Sequence, residues 1–156
     1  MGGLSRFHDG GAFCKAINLG VNNALTAAST GDNTLVTSAY VDVRGYQSAK
    51  LVITALSSIT AAKLLNMTAG LSDATDTSGT GAAAFGTGVT TKQVDAGAVT
   101  AHLSQLVLDY NLAGCRGYIA STVTPDLTNS ATDTSNFSVT LLLFGAGEEP
   151  VSDRAN

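Results

Sequence analysis

The chain has 156 residues and a net charge of −4, and it is 44% apolar but only 13% charged. That length suits one domain, and low charge with abundant apolar residues excludes a disordered chain. The eight Lys and Arg stand singly between Arg6 and Arg154, so there is no basic stripe to neutralise phosphates, and neither nucleic acid nor an anionic membrane is expected as a partner.

The opening "MGGLSRFHDGGAF" lacks the continuous apolar core of a secretory signal. Arg6 stands where a myristoylation pattern requires Ser or Thr. Residues 1–12 read as a Gly-rich amino-terminal arm, 13–146 as a single domain, and 147–156 as a polar tail. The segment "CKAINLGVNNALTAA" (14–28) carries Ala and Leu at helix-compatible spacing, but Gly20 and the Asn pair interrupt it. From residue 35 onward, strand signals dominate. "LVTSAYVDV" (35–43) places Thr37, Ala39, Val41 and Val43 on one face. In "AKLVITALSSI" (49–59), Leu51, Ile53 and Ala55 alternate against Val52, Thr54 and Leu56. "KLLNMTAGL" (63–71) sets Leu65, Met67, Ala69 and Leu71 against Asn66 and Thr68. The stretch 56–67 also fits a short helix, but its Ser and Thr favour strand, loop, strand. Further strands are expected over 102–110, 116–124 and 136–145, because β-branched and aromatic residues recur at period two between turn formers. Two long polar connections, 72–89 and 125–136, separate them; connections of that length tend to be functional or mobile. Short strands with almost no helix predict an all-β fold, an antiparallel β-sandwich of jelly-roll type with an extended amino-terminal arm and a carboxy-terminal tail.

Reactive chemistry is sparse. His8 sits in the arm and His102 opens a strand, and no G-x-S-x-G elbow accompanies either. The glycines of "GTGAAAFG" and "GTGVTT" fit neither phosphate-binding pattern and read as turn formers. Asp73 and Asp76 share a hydroxyl-rich loop, but their spacing and the lack of a closing Glu depart from a calcium loop, so they read as solvated. Cys14 and Cys115 allow one disulfide, yet without CxxC or a Cys/His cluster they read as small packed thiols. Tyr40, Tyr46, Tyr110 and Tyr118 lie in or beside strands, and there is no Trp to form a sugar platform. One stretch, "DYNLAGCRGYIASTVTP" (109–125), sets Arg116 beside Cys115, where an exposed cation would favour thiolate. With glycines at both ends of the pair and no base nearby, it reads as a corner between strands, with Arg116 pinning that corner or a carboxylate of another subunit.

The span "VDVRGYQSAKLVITALSSITAAKLLNMTAGLSDATD" resembles small structural proteins of tailed bacteriophages. Their pattern is a polar strand ending D-x-x-G-Y, an apolar A-x-x-V-I strand, and a strand with S-D at the tip of its loop. "LDYNLAGCRGYIASTVTP" is similar to their Y-x-G-x-x-R-Y-I-R segment, although Ala120 stands where the second basic residue belongs, and "SVTLLLFGAGEEP" is similar to their closing strand. The resemblance covers roughly residues 35–150. It implies a non-enzymatic virion protein, made in the host cytoplasm and placed on the capsid exterior, that decorates and cements the head. The implied partners are the major capsid protein and further copies of the chain, as a trimer or dimer. A neck or tail subunit, or a carbohydrate-binding module displayed on the virion, is the alternative. No catalytic, cofactor-binding or metal-ligating residue is assigned. Arg6, Phe7, Phe13 and Arg116 are the candidate capsid or intersubunit contacts.

Overall fold

The computed structural model describes residues 14–29, 31–128 and 132–146, with the backbone alone at 22 and 88–90. Its strands are β1 (Cys14–Thr26), β2 (Val36–Thr37), β3 (Val41–Asp42), β4 (Ser48–Ile59), β5 (Leu64–Ala74), β6 (Ala83–Ala96), β7 (Val99–Asn111), β8 (Tyr118–Leu127) and β9 (Thr134–Phe144). The proposed arm, residues 1–12, and tail, 147–156, lie outside the described residues.

Period-two patterning decides the centre of each sheet. Along β4, Ala49, Leu51, Ile53, Ala55 and Ile59 are buried, as are Leu65, Met67, Ala69 and Leu71 along β5. On β9 it is Phe137, Val139, Leu141 and Leu143. These side chains can leave water together only if two sheets close face to face, and hydrophobic burial drives that closure. One sheet has the order β1-β9-β4-β7; the other has β2-β8-β5-β6, with β3 also pairing with β8. All of these strand pairs are antiparallel. β2 and β3 together act as one interrupted strand on β8. Apart from that interruption and the β5–β6 hairpin, every connection passes from one sheet to the other. This is the double Greek key of a jelly roll, so the expected fold class holds.

The segment 35–43 departs from its expected single alternation. Val36 pairs with Val123 and Thr37 with Thr122, whereas Val41 pairs with Ile119 and Asp42 with Tyr118. Residues 38–40 therefore face only 120 and 121, and the extra residue reverses the phase. Ser38 turns inward, where its hydroxyl accepts from the Ser121 amide at 2.9 Å, and Thr37 and Ala39 are exposed. Segment 14–28 is also settled: its helix-like spacing is overruled, and residues 14–26 form β1 against β9, with a register shift between Asn18 and Asn22 that lets Gly20 bulge. The two long connections shrink. β5 runs on to Ala74 and β6 begins at Ala83, while β8 runs on to Leu127 and β9 begins at Thr134. The reading of 56–67 as strand, loop, strand agrees with a β4–β5 turn at 60–63.

At one end of the sandwich the turns are welded by backbone. Buried Asp133 accepts from the Thr60 amide at 2.9 Å, and its carbonyl accepts from the Ala27 amide at 3.1 Å. The Gly97 amide donates to the Lys63 carbonyl at 2.7 Å. A Cβ on Gly97 would stand 2.7 Å from both the Ala62 nitrogen and the Thr60 oxygen, which are backbone atoms that cannot swing aside. Gly97→Ala is expected to destabilise the fold by about 2 kcal/mol, in the range of overpacking. Urea unfolding of the variant against the parent measures it, and a loss near zero would mean the two turns are not in contact.

Candidate functional site: the Arg116 corner and the outer sheet faces

The opposite end of the sandwich carries the corner singled out in the sequence. β7 stops at Asn111, whose side chain accepts from the Ala113 amide at 2.9 Å. The Leu112 amide donates to the Gln47 carbonyl at 2.9 Å, and the Cys115 amide closes the turn on the Leu112 carbonyl at 3.0 Å. Gly117 has φ +107°, and a Cβ there would meet the Arg44 side chain at 3.0 Å. Only glycine suits both demands. Tyr118 then opens β8, as the corner reading expects.

Arg116 forks onto Asp73 at the end of β5. Its Nε donates to Asp73 Oδ2 at 2.9 Å, and its Nη2 donates to Asp73 Oδ1 and, at 2.7 Å, to the Asp73 carbonyl. Nη1 reaches the Gly81 carbonyl at 2.6 Å. One guanidinium thus ties the β7–β8 corner to β5 and to the 75–82 loop, using the planar donor geometry that lysine lacks. The carboxylate it pins belongs to its own chain. Hydrogen bonds from the Arg116 side chain hold the Asp73 carboxyl below the ordinary aspartate range, although burial opposes them.

That engagement also answers the Cys115 question. Burial pushes the thiol above its ordinary value, and the neighbouring Asp73 charge adds to the rise. The Gly117 amide and Arg116 pull the other way without prevailing. Arg116 therefore does not activate the cysteine, and Cys14 is likewise raised by burial. Both cysteines are free.

The two aspartates weighed for calcium have other partners. Asp73 lies in β5 rather than in the loop. Asp76 accepts from the Ser78 and Thr80 amides at 2.9 and 3.0 Å, which folds its own loop, and the Thr80 side chain together with these amides lowers its carboxyl. Among the described residues no cluster of His, Cys, Asp and Glu is arranged to hold a metal. The tyrosines are similarly occupied. Tyr110 is buried, Tyr46 packs partly against the core, and Tyr40 bonds Ser72 at 2.9 Å while lying against Gly79. Arg44 stacks over the Tyr118 ring, 5.1 Å from its centroid.

One pair escaped sequence reasoning. His102 Nδ1 lies 3.0 Å from Oδ2 of Asp95, a carboxylate buried near the β6–β7 connection, where the chain crosses from one sheet to the other. A carboxylate that orients an imidazole is half of a general-base arrangement. Here no hydroxyl or thiol of the described residues is hydrogen-bonded to the ring. The pair ties β6 to β7. The seven-residue separation was the available clue; Asp95 lies in 90–101, a stretch whose own patterning shows no strand.

Of the four candidate contacts, Arg6, Phe7 and Phe13 lie outside the described residues, and Arg116 is committed to the corner. β1 begins and β9 ends beside one another at this same end, since Cys14 pairs with Phe144. β1 thus starts, and β9 ends, at the Arg116 end of the domain.

The remaining surface of interest is the outer face of the β1-β9-β4-β7 sheet. Register sets its rows across β9, β4 and β7 as Leu142–Lys50–Asp109, Thr140–Val52–Val107, Ser138–Thr54–Gln105 and Asn136–Leu56–Leu103. Its charges in these rows are Lys50 and Asp109, which pair with each other. Leu56, Leu103 and Val107 are among the exposed large hydrophobics, with Leu103 at 66%.

No protein-family model matches the chain, and no curated protein matches it by sequence. Among solved structures it is similar to the VP2 subviral particle of infectious bursal disease virus, at 14% identity and a TM-score of 0.48 over 86% of this chain. A Gx-strain structure of the same virus gives 13% identity and a TM-score of 0.49 over 88% of this chain. The chain spans about a third of the length of those viral chains, 33% in each case. It is also similar to the amino-terminal modules of an endo-1,4-β-D-xylanase of Clostridium thermocellum, solved with xylohexaose. That match has 14% identity and a TM-score of 0.44, over 93% of this chain and 28% of that one. All three likenesses are distant, and the jelly-roll assignment rests on this chain's own strand pairing.

Proposed function

We propose that the chain is a non-enzymatic structural protein of a tailed-phage virion, a decoration protein that binds the outer surface of the head and cements it. The observation that carries this reading is the outer face of the β1-β9-β4-β7 sheet. It is broad and nearly free of net charge, and it exposes Leu56 and Leu103 in one row and Val107 two rows along, across the Thr54–Gln105 row. Desolvating such a surface costs little, and exposed apolar side chains grouped together mark interaction sites. The polar groups that chemistry would need are spent on architecture: Asp73 on Arg116, Asp76 on its loop, and Asp95 on His102. The jelly roll is a frequent capsid architecture, and that is a fold-level analogy.

In this reading the major capsid protein is the partner, and the 1–12 segment, with Arg6, Phe7 and Phe13, reaches it from the corner end of the domain. Ordering such a segment costs entropy that capsid contacts must exceed. The test is to image purified particles and locate the subunit, then repeat with residues 2–12 deleted. Density on the outer head surface, reduced by the deletion, is expected. Density in the neck or tail, or none, would overturn the decoration role, and unchanged occupancy would overturn the role of the segment.

A further inference from the structure

A long, regular, apolar sheet edge left unpaired is a hazard that proteins blunt by shortening, bulging or charging it. Three of the four edges here are blunted in those ways. β1 bulges at Gly20 between Asn18 and Asn22. β2 and β3 are two residues each, separated by the bulge at 38–40. β6 breaks register twice against β5 and carries Lys92. The fourth edge, β7, is different. It is 13 residues long and pairs with β4 without a break from Asn111 down to His102. Its outward side chains over that stretch are Leu103, Gln105, Val107, Asp109 and Asn111, and Leu103 and Val107 are 66% and 42% exposed. Among the described residues its strand partner is β4 alone, so its outer row of amides and carbonyls faces no described strand.

We infer that β7 is covered by β7 of a second copy, antiparallel about a two-fold axis at Gln105, which joins the two β1-β9-β4-β7 sheets into one continuous sheet. The strand is self-complementary in this register. Leu103 faces Val107 of the second copy, Gln105 faces its own equivalent, and Val107 faces Leu103. An isologous contact requires this kind of self-match, and cross-strand apolar pairs are the unit of sheet stabilisation. Charge is compatible as well. Asp109, already paired with Lys50, sits four residues from the axis, so the two copies of it stand roughly 27 Å apart at about 3.4 Å per residue, beyond the screening length. Leu56, beside Leu103 on β4, widens the apolar strip on each side of the seam. The contact stands on the edge of the fold and not on the virion reading, so either can fail alone.

Sedimentation of the full-length chain, from low concentration up to about 100 μM, tests it against variants at exposed positions. The parent chain is expected to dimerise. Gln105→Glu, which sets like charges together on the axis, is expected to weaken the dimer at least about 10-fold. Leu103→Lys alone should weaken it too, whereas Leu103→Lys combined with Val107→Glu should restore it, since each new charge then faces its opposite across the axis. Ala24→Lys, on the other edge of the same sheet, should change nothing. Circular dichroism melts confirm that each variant is folded. A parent chain that stays monomeric, a dimer indifferent to Gln105→Glu, or a double variant no tighter than Leu103→Lys alone overturns the proposal. So does a chain that dimerises only after deletion of residues 2–12, because the edge would then be covered by its own amino-terminal segment.

Discussion

Arg116→Ala is expected to destabilise the protein more than Asp73→Ala, although the two variants break the same ion pair. The reason is which charge is left behind. The Asp73 side chain is 8% exposed and that of Arg116 is 35% exposed. Removing the aspartate frees a guanidinium that can turn to water, so the loss is that of the charge-assisted hydrogen bonds, about 2 kcal/mol. Removing the arginine strands a buried carboxylate, and an unpaired buried charge of this kind costs about 3 kcal/mol or more. Urea melts of both variants at neutral pH measure the order, and equal losses would mean that Asp73 gains access to water once Arg116 is gone.

The pH dependence separates the two variants further. In the parent chain the Asp73 carboxyl is held low. A group with a depressed folded value contributes stability above its unfolded value and loses it as pH falls through the folded one. The parent should therefore lose this contribution in acid, below the ordinary aspartate range. In Arg116→Ala the largest cause of that depression, the side-chain hydrogen bonds, is gone, and burial opposes the remaining backbone hydrogen bonds, so the carboxyl rises from its value in the parent. The gap between parent and Arg116→Ala should narrow as pH drops and the stranded group takes a proton. A gap that stays constant from neutral pH into acid would contradict the assignment of Asp73 as the partner.

Phe137→Ala should have the largest effect of any single truncation in the core. Phe137 is the largest of the fully buried side chains, at 1% exposure. It sits on β9 between Asn23 of β1 and Ala55 of β4, with its ring in the space between the sheets. Ala55 opposite it is small, and so is Ala69 on the inner face of β5. A ring removed from such a site leaves a cavity that strands locked in their ladders cannot collapse to fill. The loss expected is about 3–5 kcal/mol. For a domain of this length that lowers the melting temperature by roughly 10 °C, which differential scanning calorimetry reads directly. A shift of only a degree or two would mean that the sheets move together to close the gap.

Local sequence determined the central strands of this protein. In β4, β5 and β9 one face must be dry and the other wet, so apolar and polar residues alternate and the strand can be read from composition alone. The corner at 112–117 was legible for the same local reason, since Gly117 supplies a backbone angle that other residues resist. Two of the edge strands were not. β6 buries Phe85 and Asp95 but leaves most of its described side chains exposed, so it has no alternation to display, and its first half reads as part of the Gly-rich 72–89 connection. β1 was ambiguous because a bulge breaks its period at Gly20. Tertiary structure alone decided the rest. Arg116 finds Asp73 across 43 residues, and His102 finds Asp95 from a strand that local patterning hides. Leu56, Leu103 and Val107 share an outer face through the pairing of β4 with β7. Spacing along the chain carries no record of such meetings, because they depend on which strands lie side by side, and that order is settled by closing the two sheets over one core.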